Sequence, residues 1–227
     1  MDMKLLKVFI SLIFLSACSF VYASSIKGVS LSPTRVIVYD EKVSSIKFNN
    51  NTTKELLLRA WISEYNKNER NKSFVITPPL YRIDKNGSMQ FRIENIDNHL
   101  PQDRESVFHI NILAIPPKGD GNMQVAINSR VKLFYRPALI AKDYDAEKLG
   151  ASLVVNKKGN VIRIINNTPF NITLDHVKVD DKPITTINDF MVKANSTLDI
   201  PVKYASKISY TTINDYGGNT TVIEKRL

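Results

Sequence analysis

Apolar residues in this chain recur with a period of two, in short runs divided by turn-forming residues, and helical periodicity is almost absent. In "MQVAINSRVKLFYRP" (123–137), Met123, Val125 and Ile127 fall on one side of an extended chain and Gln124, Ala126 and Asn128 on the other. Comparable runs precede it: "SLSPTRVIVYD" (30–40), "VSSIKFNN" (43–50), "LLLRAWISEY" (56–65), "SFVITPPLYRI" (73–83), "SMQFRIENI" (88–96) and "SVFHINILAI" (106–115). Between them lie "NNNTTK", "YNKNERNK", "DKNGS", "IDNHLPQD" and "PPKGDGN", all rich in turn residues. Seven strand-like runs in about 110 residues predict an immunoglobulin-like β-sandwich.

After Pro137, "ALIAKDYDAEKLG" reads as a polar linker with one short helical turn. Strand-like runs then resume: "ASLVVNK", "NVIRIINN", "NITLDHVKV", "STLDIPV", "KISYTTIND" and "TTVIEKR". The expected fold class is therefore all-β, with domains over 24–140 and 141–227. No sequence repeat relates the two halves.

The first 23 residues carry a different signal. "MDMKLLKVFISLIFLSACSFVYA" has lysines, an apolar run from Val8 to Ala17, and then small residues. This is the pattern of a secretory signal, too short for a comfortable membrane span. Two cleavage sites compete. "VYA" ending at Ala23 suits ordinary signal peptidase, whereas "LSAC" at Cys18 resembles a lipoprotein box. Apolar character continuing through Phe20 and Val21 favours Ala23, with Ser24 as the new N-terminus.

Cys18 is the only cysteine. Cleavage after Ala23 leaves none, so stability must come from the core alone. Disulfides, cysteine nucleophiles and zinc–thiolate sites are excluded with it.

The formal net charge is +9. A basic surface suits nucleic acid, an anionic membrane or an acidic protein. Here the basic residues are dispersed, without an arginine-rich run or an aromatic–basic repeat, which argues against nucleic acid. Catalytic patterns are also missing. His99, His109 and His176 are far apart, and none has a metal-ligand neighbour at helical spacing. Asp103 and Glu105 share one side of an extended chain but have no histidine partner, and read as structural carboxylates. No phosphate loop, G-x-S-x-G elbow or H-E-x-x-H occurs. A binding module without metal or cofactor is the expectation, and an enzyme the weaker rival. Lys132 poses one question: it sits between apolar neighbours in a strand, where an unpaired ammonium is costly.

Several stretches, in order, resemble the periplasmic pilus-assembly chaperones of chaperone–usher systems. They are "PTR" (33–35), "AWI" (60–62), "TPPLYRI" (77–83), "LPQDRESVFHINILAIPP" (100–117), "VKLFYRP" (131–137), "NNTPFNIT" (166–173) and "TINDYGG" (212–218). The resemblance implies two immunoglobulin-like domains arranged as an L with a cleft between them. It implies a periplasmic chaperone that binds, folds and caps pilus or fimbrial subunits, and delivers them to an outer-membrane usher. A surface adhesin with the same fold is the alternative. Donor-strand complementation is a known mode of strand addition in such systems.

The resemblance also assigns residues. Met123, Val125 and Ile127 are the apolar donor-strand residues that enter a subunit groove. Arg35 and Lys132 anchor a subunit's terminal carboxylate at the base of the cleft. Because Lys132 differs in parity from Ile127, a bulge or twist near Asn128–Arg130 is expected to bring it there. Arg130 is expected to be solvated. Glu105, Arg136 and Asp215 form an interdomain ion-pair network. The short "PPKGDGN" loop resembles family members that build rigid, rod-like pili.

Overall fold

In the computed structural model of the protein, the described residues are 28–40, 43–97, 99–118 and 125–227. The expected signal peptide and Met123 lie outside them.

The first half contains β1 (Val29–Ser32), β2 (Arg35–Tyr39), β3 (Ser44–Asn50), β4 (Leu56–Glu64), β5 (Phe74–Thr77), β6 (Leu80–Ile83), β7 (Ser88–Asn95), β8 (Ser106–Ile115) and β9 (Ile127–Arg136). Two short helices follow, α1 (Ala138–Ala141) and α2 (Ala146–Ser152). The second half contains β10 (Val154–Lys158), β11 (Val161–Asn166), β12 (Ile172–Val179), β13 (Lys182–Pro183), β14 (Met191–Val192), β15 (Ser196–Pro201), β16 (Lys207–Thr212) and β17 (Ile223–Arg226).

The first nine strands make two sheets, ordered β1-β3-β7-β5 and β2-β9-β8-β4-β6. The rest make β10-β11-β15 and β13-β12-β16-β17, with β14 paired to β12. Each half is thus a two-sheet sandwich, as alternation predicts. The strand count differs, for a local reason. The runs 30–40 and 73–83 each read as one strand, but each is two strands in different sheets. Pro33 separates β1 from β2, and Pro78–Pro79 separates β5 from β6. Proline cannot donate to a ladder, so the chain leaves one sheet there and enters the other. The linker likewise holds two helices where one turn was expected. Asp145 caps α2, its side chain accepting from the backbone N–H groups of Glu147 and Lys148.

Alternation places the cores. In β9, Leu133 and Tyr135 face the first core with Phe48, Leu58, Phe91, Ile110 and Ile112, all essentially buried. A second core gathers Ile162, Ile164, Leu174, Ile200, Ile208 and Tyr210. Each fully buried side chain of this size contributes about 1.5–3 kcal/mol of burial energy. A third, small cluster of Tyr65, Phe134 and Met191 joins the two halves.

The halves also share a turn device, although no sequence repeat relates them. Asn50 accepts from the backbone N–H and hydroxyl of Thr52 and donates to the carbonyl of Lys54. Asn166 accepts from the same two groups of Thr168 and donates to the carbonyl of Phe170. The common signal is only Asn-Asn-Thr (50–52 and 166–168), too short to register as a repeat.

Candidate functional site

The unusual feature of the first sandwich is the incomplete pairing of β9. On one side, β9 runs antiparallel to β8 over its whole length, from Ile127 opposite Ala114 to Tyr135 opposite Ser106. On the other side, β2 runs parallel to it but covers only Lys132–Arg136, starting with Arg35 opposite Lys132. Among the described residues, Ile127–Val131 therefore have a neighbour on one edge only. Unpaired backbone groups on an edge are a template for another strand.

Val125 and Ile127 lead into this free edge. They are 63% and 52% exposed, against 8% for Val131 and 0% for Leu133 on the same side of the strand. The apolar side of β9 thus continues past the end of the core into solvent. Together with Val29, Leu56, Ala114 and Pro116 they line an apolar depression of about 320 Å³.

The opposite side of the strand carries Lys132, and here one expectation is corrected. The β8–β9 register runs from Ile127 to Tyr135 without a shift, so no bulge brings Lys132 to the cleft. It needs none: Val131, Leu133 and Tyr135 face the core, while Lys132 and Arg136 on the other side of the strand reach Asp189 and Asp215 of the second domain. Arg130 is exposed, as expected, and also bonds back to its own domain. Its Nε donates to Oδ1 of the buried Asn111 at 3.1 Å, and Asn111 in turn donates to Ser63 Oγ.

Arg35 and Lys132 come together as neighbours in register. Arg35 is buried, donates from Nη1 to the Ile213 carbonyl of the second domain at 2.9 Å, and lies over the Phe134 ring. Among the described residues, no carboxylate pairs with it within ion-pair distance. Burial pushes its pKa below the ordinary value, opposed by the charges of Asp215 and Glu105. Lys132 Nζ lies 3.5 Å from Asp189 Oδ1, 3.4 Å from Thr173 Oγ1, and over the Tyr65 ring. Its pKa is also lowered by burial, with Arg35 adding to the effect and Asp189 opposing it. Two cations held side by side in a part-buried cleft set up a positive potential that favours an anion.

Beside this pair lies the expected triad. Arg136, 2% exposed, donates from Nε to Glu105 Oε1 at 2.6 Å and from both Nη atoms to Asp215 at 2.7 and 2.9 Å. Glu105 and Arg136 belong to the first domain and Asp215 to the second. Burial works against the Arg136 charge, but the bonds to Asp215 and the charge of Glu105 hold its pKa above the ordinary value. Two further partners were not legible in the sequence. The Tyr144 ring stacks 3.7 Å from the guanidinium, and the backbone N–H of Asn171 donates to Glu105 Oε2 at 2.8 Å. The nearby Gly217 has φ +84°, and a Cβ there would stand 2.3 Å from Thr34 Oγ1. Only glycine lets "TINDYGG" approach "PTR" this closely.

The family model for the N-terminal domain of the PapD pili and flagellar-assembly chaperones matches residues 28–141, and the model for the C-terminal domain of PapD pili-assembly chaperones matches 145–223. The chain belongs to the PapD family of pili-assembly chaperones. Within that family, it is 39% identical over 210 residues to the probable fimbrial chaperone LpfB of Escherichia coli O157:H7, covering 88% of this chain and 89% of that one. It is 34% identical over 205 residues to the chaperone protein FimC of Escherichia coli K12, covering 85% and 82%. Among solved structures, it resembles a chain of the Salmonella enterica SafA pilin in complex with the SafB chaperone, with TM-score 0.82, 26% identity and coverage of 90% and 99%. It also resembles the periplasmic chaperone SfaE, with TM-score 0.76, 30% identity and coverage of 88% and 100%. The two-domain, two-sandwich fold of the chaperone is that of these relatives.

Proposed function

We propose that this chaperone works in the periplasm, where it binds, folds and caps pilus subunits by lending them a strand and hands them to an outer-membrane usher. The mature protein would begin at Ser24, with working units over 24–140 and 141–227. The observation that carries the reading is the free edge of Ile127–Val131, which ends at the paired cations Arg35 and Lys132.

An incomplete immunoglobulin-like subunit would present an unpaired strand edge and an apolar groove. The edge of β9 offers the missing backbone hydrogen bonds. Val125 and Ile127, with Met123 before them, offer apolar side chains at alternate positions. Arg35 and Lys132 would bind the subunit's terminal carboxylate by charge-assisted bonds of about 1.5–3 kcal/mol each. A pinned terminus fixes register, because a slip of one residue would turn every side chain to the wrong face. Glu105, Arg136 and Asp215 would set the angle between the domains and so the shape of the cleft. Neither catalysis nor a cofactor enters this scheme.

Amide hydrogen exchange tests it. The amides of Ile127–Val131 that point away from β8 exchange freely in the isolated chaperone and become protected in the complex with a co-expressed subunit. Unchanged exchange in a purified complex would overturn strand donation.

A further inference from the structure

Lys132 is already paired when no subunit is present, and the group that pairs with it is a carboxylate. Asp189 lies just before β14 in the second domain and reaches across the cleft. Its Oδ1 is 3.5 Å from Lys132 Nζ and accepts from the backbone N–H of Met191 at 3.2 Å. Its Oδ2 accepts from the hydroxyl of Tyr65 and from Asn66 Nδ2 at 2.9 Å. Tyr65 is itself fixed, stacked on the His109 ring with 4.7 Å between centroids.

We propose that Asp189 is a built-in competitor for the anchor: it occupies Lys132 in the free chaperone and yields that ammonium to the incoming subunit carboxylate. The inference rests on the reading of Lys132 as an anchor and goes beyond it.

Two contrasts within the structure support exchange. The first is geometric. The Arg136 ion pairs lie at 2.6–2.7 Å with the guanidinium 2% exposed. The Lys132–Asp189 pair lies at 3.5 Å with side chains 23% and 36% exposed. The first is a closed joint; the second is a loose contact that water and ligand can reach. The second contrast is chemical. When Lys132 leaves, Asp189 keeps Tyr65, Asn66 and the Met191 N–H, so no buried carboxylate is stranded. Leaving a buried charge unpartnered is the costly event in breaking an ion pair, and here it does not occur. Arg35 has no such internal carboxylate among the described residues. One half of the anchor therefore stands ready while the other half is held.

The consequence is discrimination. An extended segment with a free terminal carboxylate displaces Asp189, whereas one ending in a neutral amide does not. Capture by strand pairing alone is thereby weakened relative to capture of a true chain end.

The test uses the full mature chaperone and a synthetic peptide of alternating apolar and polar residues, made both as the free C-terminal acid and as the C-terminal amide. The wild type binds the acid more tightly than the amide. Asp189→Asn keeps the shape and the Tyr65 hydrogen bond but removes the charge. It tightens acid binding about two- to fivefold, the range expected for a partly exposed ion pair, and leaves amide binding unchanged. In the Lys132→Ala background, Asp189→Asn has no effect on either peptide, which a merely structural role would not produce. A preference for the acid in the wild type combined with unchanged or weaker acid binding by Asp189→Asn overturns the competitor alone. Equal wild-type affinity for acid and amide overturns the anchor and the competitor with it.

Discussion

Arg35 and Lys132 stand opposite one another on adjacent parallel strands, yet they are held differently. Arg35 is fixed by a carbonyl of the second domain and an aromatic face of the first. Lys132 leans on a loose carboxylate across the cleft. Both side chains therefore depend on the two domains keeping their relation to one another. That relation rests on Arg136, which bonds to Glu105 on one side of the joint and Asp215 on the other.

Asp215→Ala leaves the Arg136 guanidinium buried with only Glu105 as a charged partner. Removing one member of a buried ion pair costs about 3–5 kcal/mol. Urea denaturation is expected to show a loss of this order, and solution scattering a wider spread of domain orientations. Wild-type stability and scattering together would mean that Asp215 does not hold the joint.

Ile127→Glu separates the donor strand from the core. At 52% exposure, Ile127 contributes little to folding, and the free protein should keep its stability within about 0.5 kcal/mol. Capture of a subunit should be lost, because a charge would face an apolar groove. Leu133→Glu, on the same side of the strand but fully buried, should prevent folding outright. Circular dichroism distinguishes the two; a collapsed Ile127→Glu protein would return this residue to the core.

His109 gives the protein a pH dependence of known sign. Burial, with Arg130 and Lys132 nearby, pushes its pKa down to about 4 from an ordinary value of 6.5. The folded state therefore favours the neutral ring more than the unfolded chain does. This contribution is fully present above pH 6.5 and is lost as pH falls from there through about 4. Substituting His109→Gln should flatten the stability profile between those limits. An assigned titration of the His109 ring itself near 6.5 by NMR in the folded protein would contradict the burial argument.

Asn166→Ala tests the turn device. The side chain is 1% exposed and donates to the carbonyls of Phe170, Val192 and Lys193. Its loss strands several buried groups at a cost of about 1–3 kcal/mol. A thermal midpoint equal to that of wild type would show that water replaces these bonds.

Alternation at period two was enough to place most strands and both cores, because each sheet has one buried face. It could not show where the chain changes sheets: the core-facing residues pass from Leu31 to Val36 and Val38 across Pro33, and from Ile76 to Ile83 across Pro78–Pro79, and these changes of parity are lost within short runs that have apolar residues at both parities. Strands of two residues, such as β13 and β14, are too short to carry any period. Glu105, Arg136 and Asp215 were legible only through their motifs, and their stacking partner Tyr144 sits in a linker with no pattern at all. Asp189 was invisible for the same reason: one acidic residue in "INDF", 57 positions from Lys132 in sequence, acquires meaning only when the second domain folds against the first. The supposed bulge in β9 came from treating both faces of the strand as though they served one surface; the structure uses one for the core and the other for the cleft.

The central claim is that Arg35 and Lys132 bind the terminal carboxylate of a subunit whose edge pairs with β9. The most direct measurement is co-purification of a subunit with Arg35→Ala, Lys132→Ala and Arg35→Lys variants from periplasm, with the thermal midpoint of each free variant recorded alongside. Loss of about 3 kcal/mol weakens binding by more than a hundredfold, so both alanine variants should lose capture while remaining folded. Arg35→Lys should recover little, because an ammonium does not reproduce the planar fork of a guanidinium. Wild-type capture by folded Arg35→Ala and Lys132→Ala proteins would contradict the account.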